Sequence, residues 1–279
     1  MKSQQHRKEH QSAAPAQRIW IGVGGWTYAP WRGLFYPEGL PQRRELEHMS
    51  RKLTSIEING TNYGSQKPES FVKWRTETPD DFVFAVKGPR FATNRRALAE
   101  AGASIERFFA SGVLELKDKL GPVNWQFLPT KKFEPKDFEA FLNLLPKKIA
   151  GRQIRHAVEV RHATFQSPDF IALAREHGVA IVIAGDSHYP QIADLTADFV
   201  YARIMGTSES QDLGYSKPAL HAWAARARLW AAGGAPDDLE SLTQNPAVKS
   251  GRDVFLYVIS GSKAHNPAAA MALIAWLQK

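Results

Sequence analysis

The 279-residue chain contains no cysteine. That excludes disulfides and thiolate metal sites and leaves histidine, aspartate and glutamate as the only ligand types. It also fits a cytoplasmic location. No stretch approaches the roughly 18 consecutive apolar residues that span a bilayer, so no membrane partner is expected. The first 18 residues lack the apolar core of a signal peptide and read as a disordered basic tail. No G-x-G-x-x-G opens a helix after the first strand, so neither a nicotinamide nor a flavin cofactor is expected. The net charge is +8. Lys2, Arg7, Lys8 and Arg18 against Glu9 put +3 of this in the tail. The remaining +5 is explained by a solvated basic surface and is also compatible with an anionic partner.

What is present is an alternation. Short β-branched or aromatic runs begin with "IWIGVG" at 19–24. They continue with "TSIEIN" at 54–59, "FVFAVK" at 82–87, "PVNWQF" at 122–127 and "HAVEV" at 156–160. "VAIVIAGD" at 179–186, "DFVYARI" at 198–204 and "DVFLYVIS" at 253–260 complete the set. Helical stretches separate most of them, at 43–52, from Pro68, at 95–119, from Pro135 to Leu145, from Pro168 to His177, from Pro218 and from Pro267. Only a short, poorly helical link follows the sixth run. Ser167 is a natural N-cap for the fifth of these helices, with Pro168 in its first turn and Gly178 beyond its end. Alternating β and α implies a parallel sheet, and eight units imply closure into a (β/α)8 TIM barrel. One domain over 19–279 is expected, with a Gly/Pro/Asp-rich loop insertion at 233–251.

Side chains alternate between the two faces of a strand. If the apolar set packs on the helices, the inward set is Glu57, Asn59, Lys87, Asn124, Gln126, Glu159, Arg161, Asp186, Tyr201 and Arg203. Most stand at the carboxyl ends of their strands, where barrel active sites are built. Three acidic residues (Glu57, Glu159, Asp186) face three basic ones (Lys87, Arg161, Arg203). Such a balance would also suit a self-satisfied ion-pair plug, and the two coexist where a network preorganises a site.

The motifs "GGWTYAPWRGLFYPEGLP", "SIEINGTNYG", "FVFAVKGPR", "LGPVNWQFLP", "HAVEVRHATF", "TADFVYARIMG" and "GYS" together resemble the YecE-like family, domain of unknown function 72. The resemblance runs from about residue 19 to the last helix. It implies a TIM-type barrel and no particular reaction. Its recurrent positions fall on Gly25, Trp26, Tyr28, Trp31, Glu57, Asn59, Tyr63, Lys87, Gln126, Glu159, Arg161, His162, Asp186, Arg203, Gly206 and Tyr215. The chain departs from the pattern at Met205, where a histidine is usual, and after strand eight, where "VISGSKAHN" replaces a Phe-Asn-Asn-like run.

These residues sort by chemistry. Glu57, Glu159 and Asp186 are the candidate catalytic bases or ligands. Lys87, Arg161, Arg203 and Lys263 are the candidate anion holders, with Asn59 and Gln126 orienting the substrate. Trp26 and Tyr28 can stack on a sugar ring or base, and Tyr63 after the second strand and Tyr215 after the seventh are further candidate substrate contacts. Phe35 and Tyr36 read as anchors of the first loop, and Trp31 is open to either role. A divalent metal on His162, His188 and His265 is the less favoured option, since none sits at an inward position. The expected function is an enzyme, a phosphoesterase-type hydrolase or an isomerase. Its substrate would be anionic and ring-containing: a sugar phosphate, a nucleotide or a nucleic-acid backbone. A non-catalytic nucleic-acid or nucleotide binder is the alternative, and a glycosidase the third option.

Overall fold

The structure, a computed structural model, describes residues 18–245 and 251–279. The expected tail therefore lies outside the described residues, except for Arg18, and so do residues 246–250 of the expected insertion. Eight parallel staves form the barrel. They are β1 (Ile19–Gly24), β2 (Ser55–Ile58), β3 (Val83–Lys87), β4 (Leu120–Gln126) and β5 (His156–Glu159), then β6 in two pieces (Ala180–Ile181 and Ile183–Gly185), β7 (Phe199–Ile204) and β8 (Asp253–Val258). Neighbours pair in chain order, and β1 pairs with both β2 and β8. The ring joins through β6. Its first piece pairs with β5 and its second with β7. Between them the Val182 N–H still donates to Val158 O at 2.9 Å.

Around the barrel lie α1 (Glu45–Ser50), α2 (Pro68–Thr76), α3 (Gly102–Ala110), α4 (Pro135–Asn143), α5 (Pro168–His177), α6 (Lys217–Ala231) and α7 (Asn266–Leu277). α5 is built as its sequence dictates. Ser167 Oγ accepts from Asp169 N at 3.2 Å, and Gly178 closes the helix at φ 64°. The 95–119 stretch is not one helix. 3-10 turns flank α3, and Lys117 at φ 49° breaks the second of them. No helix among the described residues is long and apolar enough to cross a membrane.

The alternation of side chains produces two cores. The outer one, between staves and helices, contains Ile56, Ile58, Phe84, Val86, Val123, Trp125, Val158, Ile181, Ile183, Val200 and Ile204. The inner one fills the amino-terminal end of the barrel. There Trp20 stacks on Phe255 (centroids 4.7 Å apart, planes at 7°), and Tyr201 lies 5.2 Å from Tyr257. The barrel is thus stoppered from below, and anything bound must enter from the carboxyl-terminal mouth. Gly22 makes the stopper fit, because a Cβ there would lie 2.1 Å from Ser55 O and 3.2 Å from the Tyr257 ring.

One buried titratable group belongs to the scaffold. His156, at the start of β5, accepts from Trp125 Nε1 at 3.1 Å, which leaves its other ring nitrogen to donate to Pro146 O at 3.0 Å. This pairing requires the neutral ring. Burial lowers the pKa of His156 to about 4, although the bond to Pro146 O opposes the shift.

Two outcomes are expected. Gly22→Ala should cost about 1–3 kcal/mol or more of unfolding free energy, because backbone rather than a flexible side chain must yield. Gly64→Ala, with open space at its Cβ, should stay within about 0.5 kcal/mol. Urea titrations of both variants check this. Well above pH 6.5, from about pH 7.5 up, the His156 ring is neutral in both folded and unfolded chains and adds no pH dependence. As pH falls from about 6.5 to 4 the unfolded chain takes up the proton first. Stability should therefore drop by about 3 kcal/mol on this account. A His156→Gln variant should lose that part of the slope in urea midpoints measured across the window.

Candidate functional site

Above the aromatic stopper lies a charged layer. Glu57 from β2 and Glu159 from β5 are both fully buried. Arg203 from β7 sits between them. Its Nη2 donates to Glu57 Oε1 at 3.0 Å and its Nη1 to Glu159 Oε2. The Tyr201 hydroxyl donates to Glu57 Oε2, and Asn124 Nδ2 reaches both carboxylates at 3.3 and 3.4 Å. Burial alone would raise the pKa of Glu159, but Arg203, Arg161 and Lys87 more than offset it and hold the carboxyl at about 2. Glu159 is therefore a permanent anion. Every oxygen of Glu57 and Glu159 is engaged below the mouth, and the two carboxylates hold the neighbouring cations in position.

The next layer faces the mouth. Arg161, two residues beyond Glu159, turns back to donate twice to Glu159 Oε1, at 2.9 and 2.6 Å. Its guanidinium lies 4.3 Å over the Tyr189 ring. Gln126 Nε2 donates to the same Glu159 oxygen at 2.8 Å, and its Oε1 accepts from Lys87 Nζ at 2.6 Å. Burial first, then Arg203, pushes the Lys87 pKa down to about 8 against the pull of Glu57 and Glu159.

Two expectations, on Asp186 and Tyr215, need correction, and the less favoured metal option gains no support. Asp186 does not face inward. Its backbone takes φ 53°, which breaks the strand alternation, and Trp223 Nε1 of α6 donates to its Oδ2 at 2.8 Å. Tyr215 is not at the cavity. It is buried, and its hydroxyl accepts from Gly206 N at 2.7 Å, bracing the loop after β7. The three histidines do not converge. His162 accepts from Thr164 N, His188 packs on Tyr189, and His265 pairs with Ser262 Oγ at 2.9 Å. Among the described residues no three histidine, aspartate or glutamate side chains are grouped to hold a metal.

Over this floor opens a cavity of about 660 Å³, within the range of small-molecule sites. Lys87, Gln126, Arg161 and Arg203 form its base, and Asn59, Tyr63 and Lys263 its sides. Trp26 and Tyr28 line one wall, with Trp74 of α2 edge-on to Trp26 at 5.1 Å. The aromatic loop is held in place from behind. The Tyr36 hydroxyl donates to Trp26 O at 2.5 Å, and Trp31 Nε1 donates to Lys263 O at 2.7 Å. Tyr36 is a buried anchor away from the cavity, whereas Trp31, although buried, lines the cavity together with Trp26 and Tyr28. Sequence reasoning missed Trp74 and Tyr189. Trp74 sits on a helix, outside any strand pattern, and Tyr189 was readable only as an aromatic just past the end of β6.

A cationic base under an aromatic wall can hold a phosphate or carboxylate while a flat ring stacks above it. Known proteins share part of this sequence, and others share its fold. The chain is 31% identical over 150 residues to the UPF0759 protein YecE of Escherichia coli K12, covering 53% of this chain and 50% of that protein. It is 27% identical over 157 residues to the UPF0759 protein YunF of Bacillus subtilis 168, covering 54% of each. The matched region thus spans about half the length of these relatives. A DUF72 family protein from Thermotoga maritima superposes with a TM-score of 0.71 at 20% identity, over 94% of this chain and all of that one. Another, from Enterococcus faecalis, gives 0.67 at 15% identity, over 94% and 98%. At these identities the two structures speak for the fold alone. The model of the family described as "Protein of unknown function DUF72" matches residues 20–279, and the chain belongs to that family.

Proposed function

We propose that the mouth of the barrel binds, and acts as an enzyme upon, a small anionic substrate carrying a flat ring, such as a nucleotide or a sugar phosphate. The observation that carries this reading is a charge imbalance. With Asp186 turned away, two carboxylates, Glu57 and Glu159, face three cations, Lys87, Arg161 and Arg203. Lys263 adds a fourth cation at the cavity side. Among the described residues neither lysine has an ion-pair partner. Lys263 is exposed, but Lys87 is buried, and a self-satisfied plug would balance its charge, because an uncompensated cation out of bulk water is costly. An anionic ligand supplies the missing charge. The aromatic wall adds the ring, since stacking of one base is worth about 1–3 kcal/mol.

The carboxylates do not favour a glycosidase. Glu159 stays ionised to about pH 2, whereas glycosidic cleavage needs one carboxylic acid to donate a proton. A nucleic-acid binder keeps one specific observation in its favour. Tyr63 and Phe91 are exposed beside the mouth, and the Arg90 guanidinium lies 5.5 and 5.8 Å from their rings. The salt slope of binding separates the two readings. A mononucleotide in the cavity releases few counterions, whereas a strand crossing the surface gives a slope that steepens with strand length.

Two outcomes are expected in calorimetric titrations. Trp26→Ala should weaken binding of adenosine monophosphate by about 5- to 150-fold and leave that of inorganic phosphate unchanged. Lys263→Ala should weaken both by about 10- to 150-fold, as loss of a charge-assisted contact does. Wild-type protein that takes up neither ligand at low salt contradicts the reading.

A further inference from the structure

Two lysines are buried among the described residues, and they differ in what surrounds the nitrogen. Lys119 is caged. Its Nζ donates to Arg75 O, Thr78 O and Thr78 Oγ1, at 2.7, 2.7 and 3.3 Å, so all three ammonium protons are used. Lys87 has one protein acceptor, Gln126 Oε1, and stands at the base of the cavity. Gln126 cannot reverse its amide without cost. Its Nε2 is already given to Glu159 Oε1, so its carbonyl oxygen is turned to Lys87.

The charged groups facing Lys87 are Glu57 from β2, Glu159 from β5, Arg161 just beyond β5, and Arg203 from β7. Both carboxylates are committed to guanidinium groups. Desolvation and the two arginines disfavour the ammonium form, and the result is a pKa of about 8. At pH 7–8 roughly a tenth to a half of the molecules carry the free amine. A desolvated lysine beside other cations is how proteins make a nucleophilic amine.

We propose that Lys87 attacks the carbonyl carbon of an aldehyde- or keto-bearing anionic substrate and holds it as a Schiff base in the cavity. This rests on the anion-binding reading above and adds the substrate class. The nitrogen lone pair forms the new C–N bond as the carbonyl π pair moves to oxygen. Proton transfer from nitrogen to oxygen gives the carbinolamine. Loss of the hydroxyl with the second amine proton releases water and leaves the C=N bond, with no oxidant or reductant consumed. Gln126 Oε1 holds one N–H during attack and leaves the lone pair to the cavity. Arg161 and Lys263 hold the anion.

Pyridoxal 5′-phosphate is a suitable probe, since it joins a phosphate, a flat ring and an aldehyde. The full chain is incubated with it, reduced with borohydride, and examined by intact mass and peptide mapping. Pyridoxine 5′-phosphate, which has an alcohol in place of the aldehyde, is titrated in parallel. The expected result is one reduced adduct per chain, mapped to Lys87, with incorporation rising as pH passes through about 8. Lys87→Arg, checked for folding by circular dichroism, should fall to background incorporation. Labelling at Lys263 or scattered over surface lysines overturns the proposal. Binding of pyridoxine 5′-phosphate without an adduct at Lys87 overturns the Schiff base and leaves the anion reading standing. Binding of neither probe overturns both.

Discussion

The site depends on Arg203 gripping Glu57 and Glu159 at once. These carboxylates come from β2 and β5, on different walls of the barrel, and both are fully buried. The guanidinium fork suits this bridging, which a point-charge lysine would not reproduce. The rest of the charged layer is built on that grip. Because Glu159 is held as an anion, it can orient Arg161 and Gln126, and Gln126 in turn orients Lys87. Removing Arg203 would strand two buried carboxylates, a loss of about 3–5 kcal/mol for a broken buried pair. The network is thus the frame that holds cations at the mouth, and its net charge leaves room for an anion.

The second constraint is that the barrel is stoppered. The Trp20, Phe255, Tyr201 and Tyr257 layer fills the amino-terminal end, and Tyr201 and Tyr257 touch both worlds. Tyr201 hands its hydroxyl to Glu57, while the Tyr257 hydroxyl pairs with Ser55 at 2.8 Å. The mouth is organised by a different device. The Trp31 indole joins the first βα loop to the loop after β8, so the loops that carry Trp26 and Lys263 are tied across the paired strands β1 and β8.

Much of this was legible in the sequence. All eight staves lie where the β-branched and aromatic runs fall, and their alternation sorted Ile56 from Glu57, Trp125 from Gln126, and Ala202 from Arg203. The alternation failed where the backbone leaves regular strand geometry. Val182 interrupts β6, and Asp186 enters the left-handed region, so its carboxylate meets α6 and not the barrel axis. That single failure changed the electrostatics from a balanced three-against-three to a cationic excess. Tyr215 was misplaced because the loop that carries it folds back on Gly206, a tertiary contact without sequence periodicity. Trp74 was missed because a helix supplies it. The split of the first loop into anchors and cavity rings was half-visible. Tyr36 followed from its position before α1, but the burial of Trp31 depends on a carbonyl 232 residues away.

The central claim is that the cavity floor carries positive charge awaiting an anion. Diffraction from crystals soaked in bromide or selenate tests it most directly, because anomalous scattering locates the anion whatever the natural substrate is. An anomalous peak within hydrogen-bond reach of Lys87, Arg161 or Lys263, lost on competition with phosphate, is the expected result. Anions found only on the outer surface, with the cavity filled by water alone, would contradict the account.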